Sequence, residues 1–88
     1  MYDWTPIPPG GRSPALQPAQ AMFLELSQLL DGLQPGPVDG RHLGPSVQNV
    51  LWLQRMLGQA QTGVLDGPLF FRLTHLHRLC RRCGNTEL

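Results

Sequence analysis

Three stretches of the chain repeat apolar residues at three- and four-residue spacings, the period that lines one face of a helix. In the first, AQAMFLELSQLLDG, the residues Met22, Phe23, Leu26, Leu29, Leu30 and Leu33 form one face that closes near Gly32. The second carries Val47, Val50, Leu53 and Leu57 on one stripe, with Ser46 placed to cap its start and Gly58 to end it. The third begins after Asp66, with Pro68 in a first turn where the missing N–H costs least. It carries Leu69, Phe70, Leu73, Leu76, Leu79 and Cys80 toward Gly84. Glu25 and Asp31 fall on the solvated face of the first helix. The pattern predicts an all-α fold, a small three-helix bundle over residues 19–84, with 85–88 as a short tail.

Ahead of the bundle the pattern breaks down. Residues 1–18, MYDWTPIPPGGRSPALQP, hold five of the nine prolines and two glycines, so they read as a Pro-rich N-terminal arm and not a continuous helix. Tyr2, Trp4 and Ile7 are the arm's apolar side chains, available to pack on the domain. The connections between helices carry turn chemistry. GPVDG at 36–40 and GVLDG at 63–67 each set an apolar residue before Asp-Gly and each lead into a helix. In both, the Asp can bond its own backbone, the Gly can take a positive φ, and the apolar residue can plug the core. Asp39, Gly40, Ser46, Gly63 and Asp66 are therefore structural turn residues, and the two Asp are turn formers and not catalytic acids.

Composition removes several functions. A chain of 88 residues has little room for an enclosed active site. Ser13, Ser27 and Ser46 sit in the arm, the first helix and a cap, with no His base and orienting acid in their context, so no enzyme is expected and no catalytic residue is assigned. Seven Arg, no Lys and six Asp plus Glu leave a net charge of +1, far from the basic excess of a nucleic-acid binder. No apolar run reaches the ~18 residues of a membrane span, so membrane insertion is not expected. The N-terminus lacks the charged start and apolar core of an export signal. A cell-envelope or extracytoplasmic location is then expected only if the chain is part of a longer exported protein or leaves by another route. His77, Cys80 and Cys83 form H-x-x-C-x-x-C on the third helix, with His75 as a fourth group. No second Cys pair exists to complete a structural zinc site, so neither a metal nor another cofactor is expected.

The segment GPVDGRHLGPSVQNVLWLQRMLGQAQTGVLDGPLFFRL resembles the peptidoglycan-binding-like domain, a three-helix module attached to many bacterial cell-wall hydrolases. That family reads GPVDG-x-F-G-P-x-T-x-x-A-V-x-x-F-Q, followed by T-G-x-x-D-x-x-T-x-x-x-L. Laid on without a gap, Gly36 to Gly40 match directly, Ser46 takes the place of the capping Thr, Val50 that of the Val, and Leu53-Gln54 that of Phe-Gln. Thr62, Gly63, Asp66 and Leu73 fall on the second motif. The chain departs from the pattern where His42 stands for the loop Phe, where Gly44-Pro45 is displaced by one residue, and where Leu69 replaces the second Thr.

The resemblance implies a non-catalytic module that binds peptidoglycan or its stem peptides and so targets or anchors a larger protein, or a partner wall hydrolase, to the bacterial cell wall. The alternative is a protein-interaction or structural module that keeps the fold without binding glycan. The candidate ligand contacts are Arg41, His42 and Trp52. Trp52 lies about 200 degrees from Val50 on a helical wheel, off the core stripe. It either caps the bundle against the arm or stands exposed as a platform for a sugar ring. On the second reading it joins Arg41 and His42 on the neighbouring loop, with Arg41 pairing a stem-peptide carboxylate.

Overall fold

The structure, a computed structural model, describes the backbone of residues 5–85 and the side chains of residues 5–81. Tyr2, Trp4, the side chain of Cys83 and the tail at 86–88 lie outside the described residues. The described chain forms three helices, α1 (Leu16–Ser27), α2 (Pro45–Met56) and α3 (Gly67–Asn85), with α1 packed on α3. Two isolated backbone bridges take the place of a sheet among the described residues. No helix there is long and apolar enough to cross a membrane.

All three helices feed one core. Leu16, Ala19, Phe23 and Leu26 enter it from α1, Val50 and Leu53 from α2, and Leu69 and Leu73 from α3. Three more members, Ile7, Leu33 and Leu65, come from irregular segments. Each large side chain so buried contributes roughly 1.5–3 kcal/mol. Non-helical chain thus supplies a good part of the drive to fold.

The ends of α2 and α3 follow local chemistry. Gly44, at φ 56°, precedes Pro45 and starts α2, so the cap is a backbone conformation suited to glycine. Ser46, expected to cap, sits inside the helix and spends its hydroxyl elsewhere. At the other end Gly58 turns to φ 71°, and the bonds from Gly58 N to Arg55 O (3.1 Å) and from Gln59 N to Gln54 O (2.8 Å) close a Schellman motif. Asp66 caps α3 by accepting a hydrogen bond from Leu69 N at 2.9 Å.

Helix α1 departs from the expected limits at both ends. It begins at Leu16 because Pro18 falls in its first turn, where no N–H is needed. It ends at Ser27, so Leu29 is exposed and Leu33 reaches the core from the connection instead of from the helix face. The connection that follows is held from α2: Asn49 Oδ1 accepts from Gln34 N at 2.8 Å and Asn49 Nδ2 donates to Gln34 O at 2.9 Å. Leu79 of α3, also expected on the core face, is exposed.

The described part of the arm is bound to the domain. Ile7 exchanges two backbone hydrogen bonds with Leu65, at 2.8 and 3.0 Å, and its side chain is buried. Gly10 N donates to His42 O, His42 N to Gly11 O and Ser13 N to Gly40 O, all at 2.8–2.9 Å. Residues 7–13 thus run across both Asp-Gly connections, and the expected boundary at residue 18 is replaced by a helix start at Leu16.

Candidate functional site

The two Asp-Gly connections share a sequence but not a geometry. In the first, Asp39 Oδ1 accepts from Arg41 N at 2.9 Å, an Asx turn, while Gly40 sits at φ 76°. A side chain at Gly40 would also press on the carbonyl of Ser13, 3.0 Å from an added Cβ. In the second, Asp66 is a helix cap, Gly67 is already helical, and the positive φ belongs to Gly63, at 77°. The apolar residue plugs the core only in the second, since Leu65 is fully buried while Val38 is 42% exposed.

Buried amides hold both connections in place. Gln20 Oε1 accepts from Asp39 N (2.9 Å) and Gly40 N (2.8 Å), and its Nε2 donates to Arg41 O (2.9 Å) and Asp39 Oδ1 (3.2 Å). Gln54 does the same for the second connection, accepting from Gly63 N and donating to Thr62 Oγ1, both at 3.0 Å. The backbone N–H groups require an acceptor, which fixes the orientation of each amide. Among the described residues no buried side-chain nitrogen or oxygen lacks a partner.

Arg41 stands on this braced loop and is exposed. It forms an antiparallel bridge with Arg12 of the N-terminal segment, and the two side chains border one shallow polar depression of about 460 Å³. Ser13, Pro14, Gln17, Asp39 and Gly40 complete its lining. Two guanidinium groups and one carboxylate therefore meet at a solvent-exposed surface. Asp39 is held below the ordinary carboxylate range, chiefly by the Arg41 backbone N–H, against a smaller effect of burial. It remains charged at neutral pH.

The other two candidate contacts lie elsewhere. His42 is 0% exposed, against the expectation of a loop-surface contact. Its Nε2 lies 2.6 Å from the carbonyl oxygen of Gly63 and its Nδ1 2.7 Å from Ser46 Oγ. A carbonyl can only accept, so Nε2 carries the proton and Nδ1 accepts from the Ser46 hydroxyl. That bond explains why Ser46 is not a cap. His42 joins the two connections from within and offers no ring nitrogen to solvent. Trp52 is half-buried against the core and covers Gly32, where an added Cβ would strike the indole Nε1. Its partner is thus the connection after α1, and neither Trp52 nor His42 lines the depression beside Arg41.

His77 donates to Glu25 Oε1 across the α1–α3 contact at 2.5 Å, and this bond is the main reason the Glu25 carboxyl is held below its ordinary pKa. Glu25 keeps an exposed position, as expected, but pairs with α3. Cys80 is a half-buried free thiol packed against the core. Among the described residues no group of three or more His, Cys, Asp or Glu is placed to hold a metal ion.

Arg12, Gln17 and the two amides Gln20 and Gln54 are the site residues that hydrophobic periodicity passes over. The amides do leave a trace: Gln20 falls on the same face as Leu16, Ala19 and Phe23, and Gln54 follows Leu53 on the face of Val50 and Leu57. A polar residue at a core register position requires an internal partner. Arg12 leaves no such trace, because its position depends on pairing with a residue far along the chain. Searches against protein-family models, curated proteins and solved structures give no match to this chain.

Proposed function

We propose that this chain is a non-catalytic module that attaches a larger protein or a partner enzyme to the bacterial cell wall, by binding peptidoglycan stem peptides at the Arg12–Arg41 depression. The observation that carries this reading is the bridge that sets two exposed arginines side by side next to a charged Asp39. Guanidinium groups recognise carboxylates through paired N–H donors, and a stem peptide presents both free carboxylates and amines. Arg12 and Arg41 fit the former and Asp39 the latter. The resemblance of residues 36–73 to the peptidoglycan-binding-like domain supports the same reading. A shallow, solvent-screened site of this kind gives modest affinity.

The inward placement of His42 and Trp52 favours a second reading, a protein-interaction module that keeps the turns and has lost the glycan contact. One experiment separates the two. The purified chain is sedimented with insoluble peptidoglycan sacculi, then titrated by NMR with soluble muropeptides carrying free or amidated stem carboxylates. Wall binding predicts saturable retention, shifts at Arg12, Gln17, Gly40 and Arg41, and weaker binding of the amidated ligand. The double variant R12A/R41A should lose about tenfold in affinity or more, since each charged hydrogen bond is worth roughly 1.5–3 kcal/mol. Absence of retention and of shifts would leave the second reading.

A further inference from the structure

His42 is the enclosed meeting point of three separate stretches of chain. Its ring bonds Gly63 O through Nε2 at 2.6 Å and Ser46 Oγ through Nδ1 at 2.7 Å, while its backbone accepts from Gly10 N and donates to Gly11 O. The N-terminal strip also rests on the second connection, since a Cβ added at Gly63 would lie 3.0 Å from Pro9 Cγ. The bridge that sets Arg12 opposite Arg41 is made of two bonds, His42 N to Gly11 O and Ser13 N to Gly40 O, and the first belongs to His42. Arg41 has a further support, because Gln20 holds Asp39 N, Gly40 N and Arg41 O from α1. The two halves of the depression are thus held unequally: Arg41 by an amide that does not titrate, Arg12 beside an imidazole that does.

We propose that His42 is an acid-sensitive latch, whose protonation drives its ring out of the fold and frees residues 9–12, so that Arg12 leaves Arg41 and the depression opens. The consequence for ligand rests on the wall-binding reading; the release itself does not. The neutral ring satisfies both of its polar neighbours. A second proton, on Nδ1, faces Ser46 Oγ, whose own hydroxyl hydrogen must then turn away inside a buried site. The new charge meets no anion among the described residues. It faces Ser46 from α2, Gly63 from the second connection and the backbone of Gly10 and Gly11 from the strip, while Arg12, Asp39 and Arg41 are all exposed. An enclosed charge without a counter-ion is costly, and solvent relieves it. Reaching solvent turns the backbone of His42 with its ring, and so breaks the bonds to Gly10 and Gly11. His77 responds to acid in the opposite sense, since its cation strengthens the pair with Glu25, and His75 is exposed.

The test is native-state hydrogen exchange of the full chain between pH 7 and 5, read as protection factors beside an NMR titration of the His42 ring. Protection at Gly10 and His42 should fall together below pH 6.5, by up to about tenfold per pH unit, the limit for one proton, while the buried Leu73 of α3 keeps its protection. Muropeptide affinity should fall over the same range toward that of R12A, and the affinities of R12A and H42Q should each be unchanged by pH. A ring that titrates with the strip still protected, or equal loss of protection at Leu73, would overturn the proposal. An acid response of the same size in R12A would overturn it too, by placing the effect outside Arg12. If no muropeptide binds at pH 7, the wall-binding reading fails alone, and the protection factors still decide whether the strip is released.

Discussion

Two enclosed side chains, His42 and Gln20, tie the loop that carries Arg41 to the rest of the molecule, and each makes a distinct prediction. Burial pushes the His42 imidazolium below the ordinary histidine pKa of 6.5, against a smaller raising effect from the Gly63 carbonyl. The unfolded chain therefore binds this proton at higher pH than the folded one, so stability is complete above the unfolded value and is lost as pH falls from there toward the lower folded value. The thermal midpoint should fall between pH 7 and 5, and His42→Gln, although less stable at pH 7, should show a flatter profile in that window. Equal slopes would identify another group as the source. Glu25 acts lower on the scale: its contribution is present above the unfolded value of 4.5 and is lost as pH falls through its depressed folded value. Gln20→Leu leaves the amides of Asp39 and Gly40 without their acceptor and should cost about 2 kcal/mol in urea unfolding. Gln20→Glu keeps an acceptor but loses both donors and sets a carboxylate beside that of Asp39, so its penalty should shrink on acidification. A pH-independent penalty would mean that lost donors, not charge repulsion, dominate.

The helices end for reasons that differ in range, and glycine substitutions separate them. Gly58 has nothing within 4 Å of an added Cβ, so Gly58→Ala meets only the positive-φ penalty of about 1 kcal/mol and leaves tryptophan emission unchanged. Gly32→Ala instead drives a methyl into the Trp52 indole and should cost about 1–3 kcal/mol with a red-shifted emission as the ring moves outward. An unshifted spectrum in Gly32→Ala would show that the connection, not the indole, gives way. This division also marks what the sequence could disclose. The end of α2 and the start of α3 were legible to within about a residue because Gly58, Asp66 and Pro68 act on their own neighbours, whereas α2 starts one residue before Ser46 through Gly44 and Pro45. The end of helix α1 differs from the expectation because apolar periodicity continues through Leu29 and Leu33 after the helix has stopped, in a connection held by Asn49, fifteen residues beyond Gln34. In the candidate site Arg41 was legible from its loop. The burial of His42 was not, since it depends on the carbonyl of Gly63, twenty-one residues away, and Arg12 emerges only from the pairing across the fold.

At the scale of the whole molecule, the N-terminal segment decides whether the domain is a bundle with an appendage or a single unit. Residues 7–13 connect the two Asp-Gly loops to each other through backbone bonds, and the only anchor they bury deeply among the described residues is Ile7. Truncating a buried isoleucine costs about 2–5 kcal/mol, against a total stability of roughly 5–10 kcal/mol for a domain of this size. If the segment is integral, Ile7→Ala should lower the global unfolding free energy by that amount. It should also reduce hydrogen-exchange protection together at Gly10, Ser13, His42 and Leu65, because these amides share one strip of pairing. The polar depression should weaken in step, since Arg12 is held opposite Arg41 by the same strip. An appendage behaves otherwise: Gly10 and Ser13 would exchange freely in Ile7→Ala while His42 and Leu65 kept the protection of the core, and the unfolding midpoint would hardly move. That second pattern would confine ligand contact to the loop of Arg41, and Arg12 would no longer belong to the site.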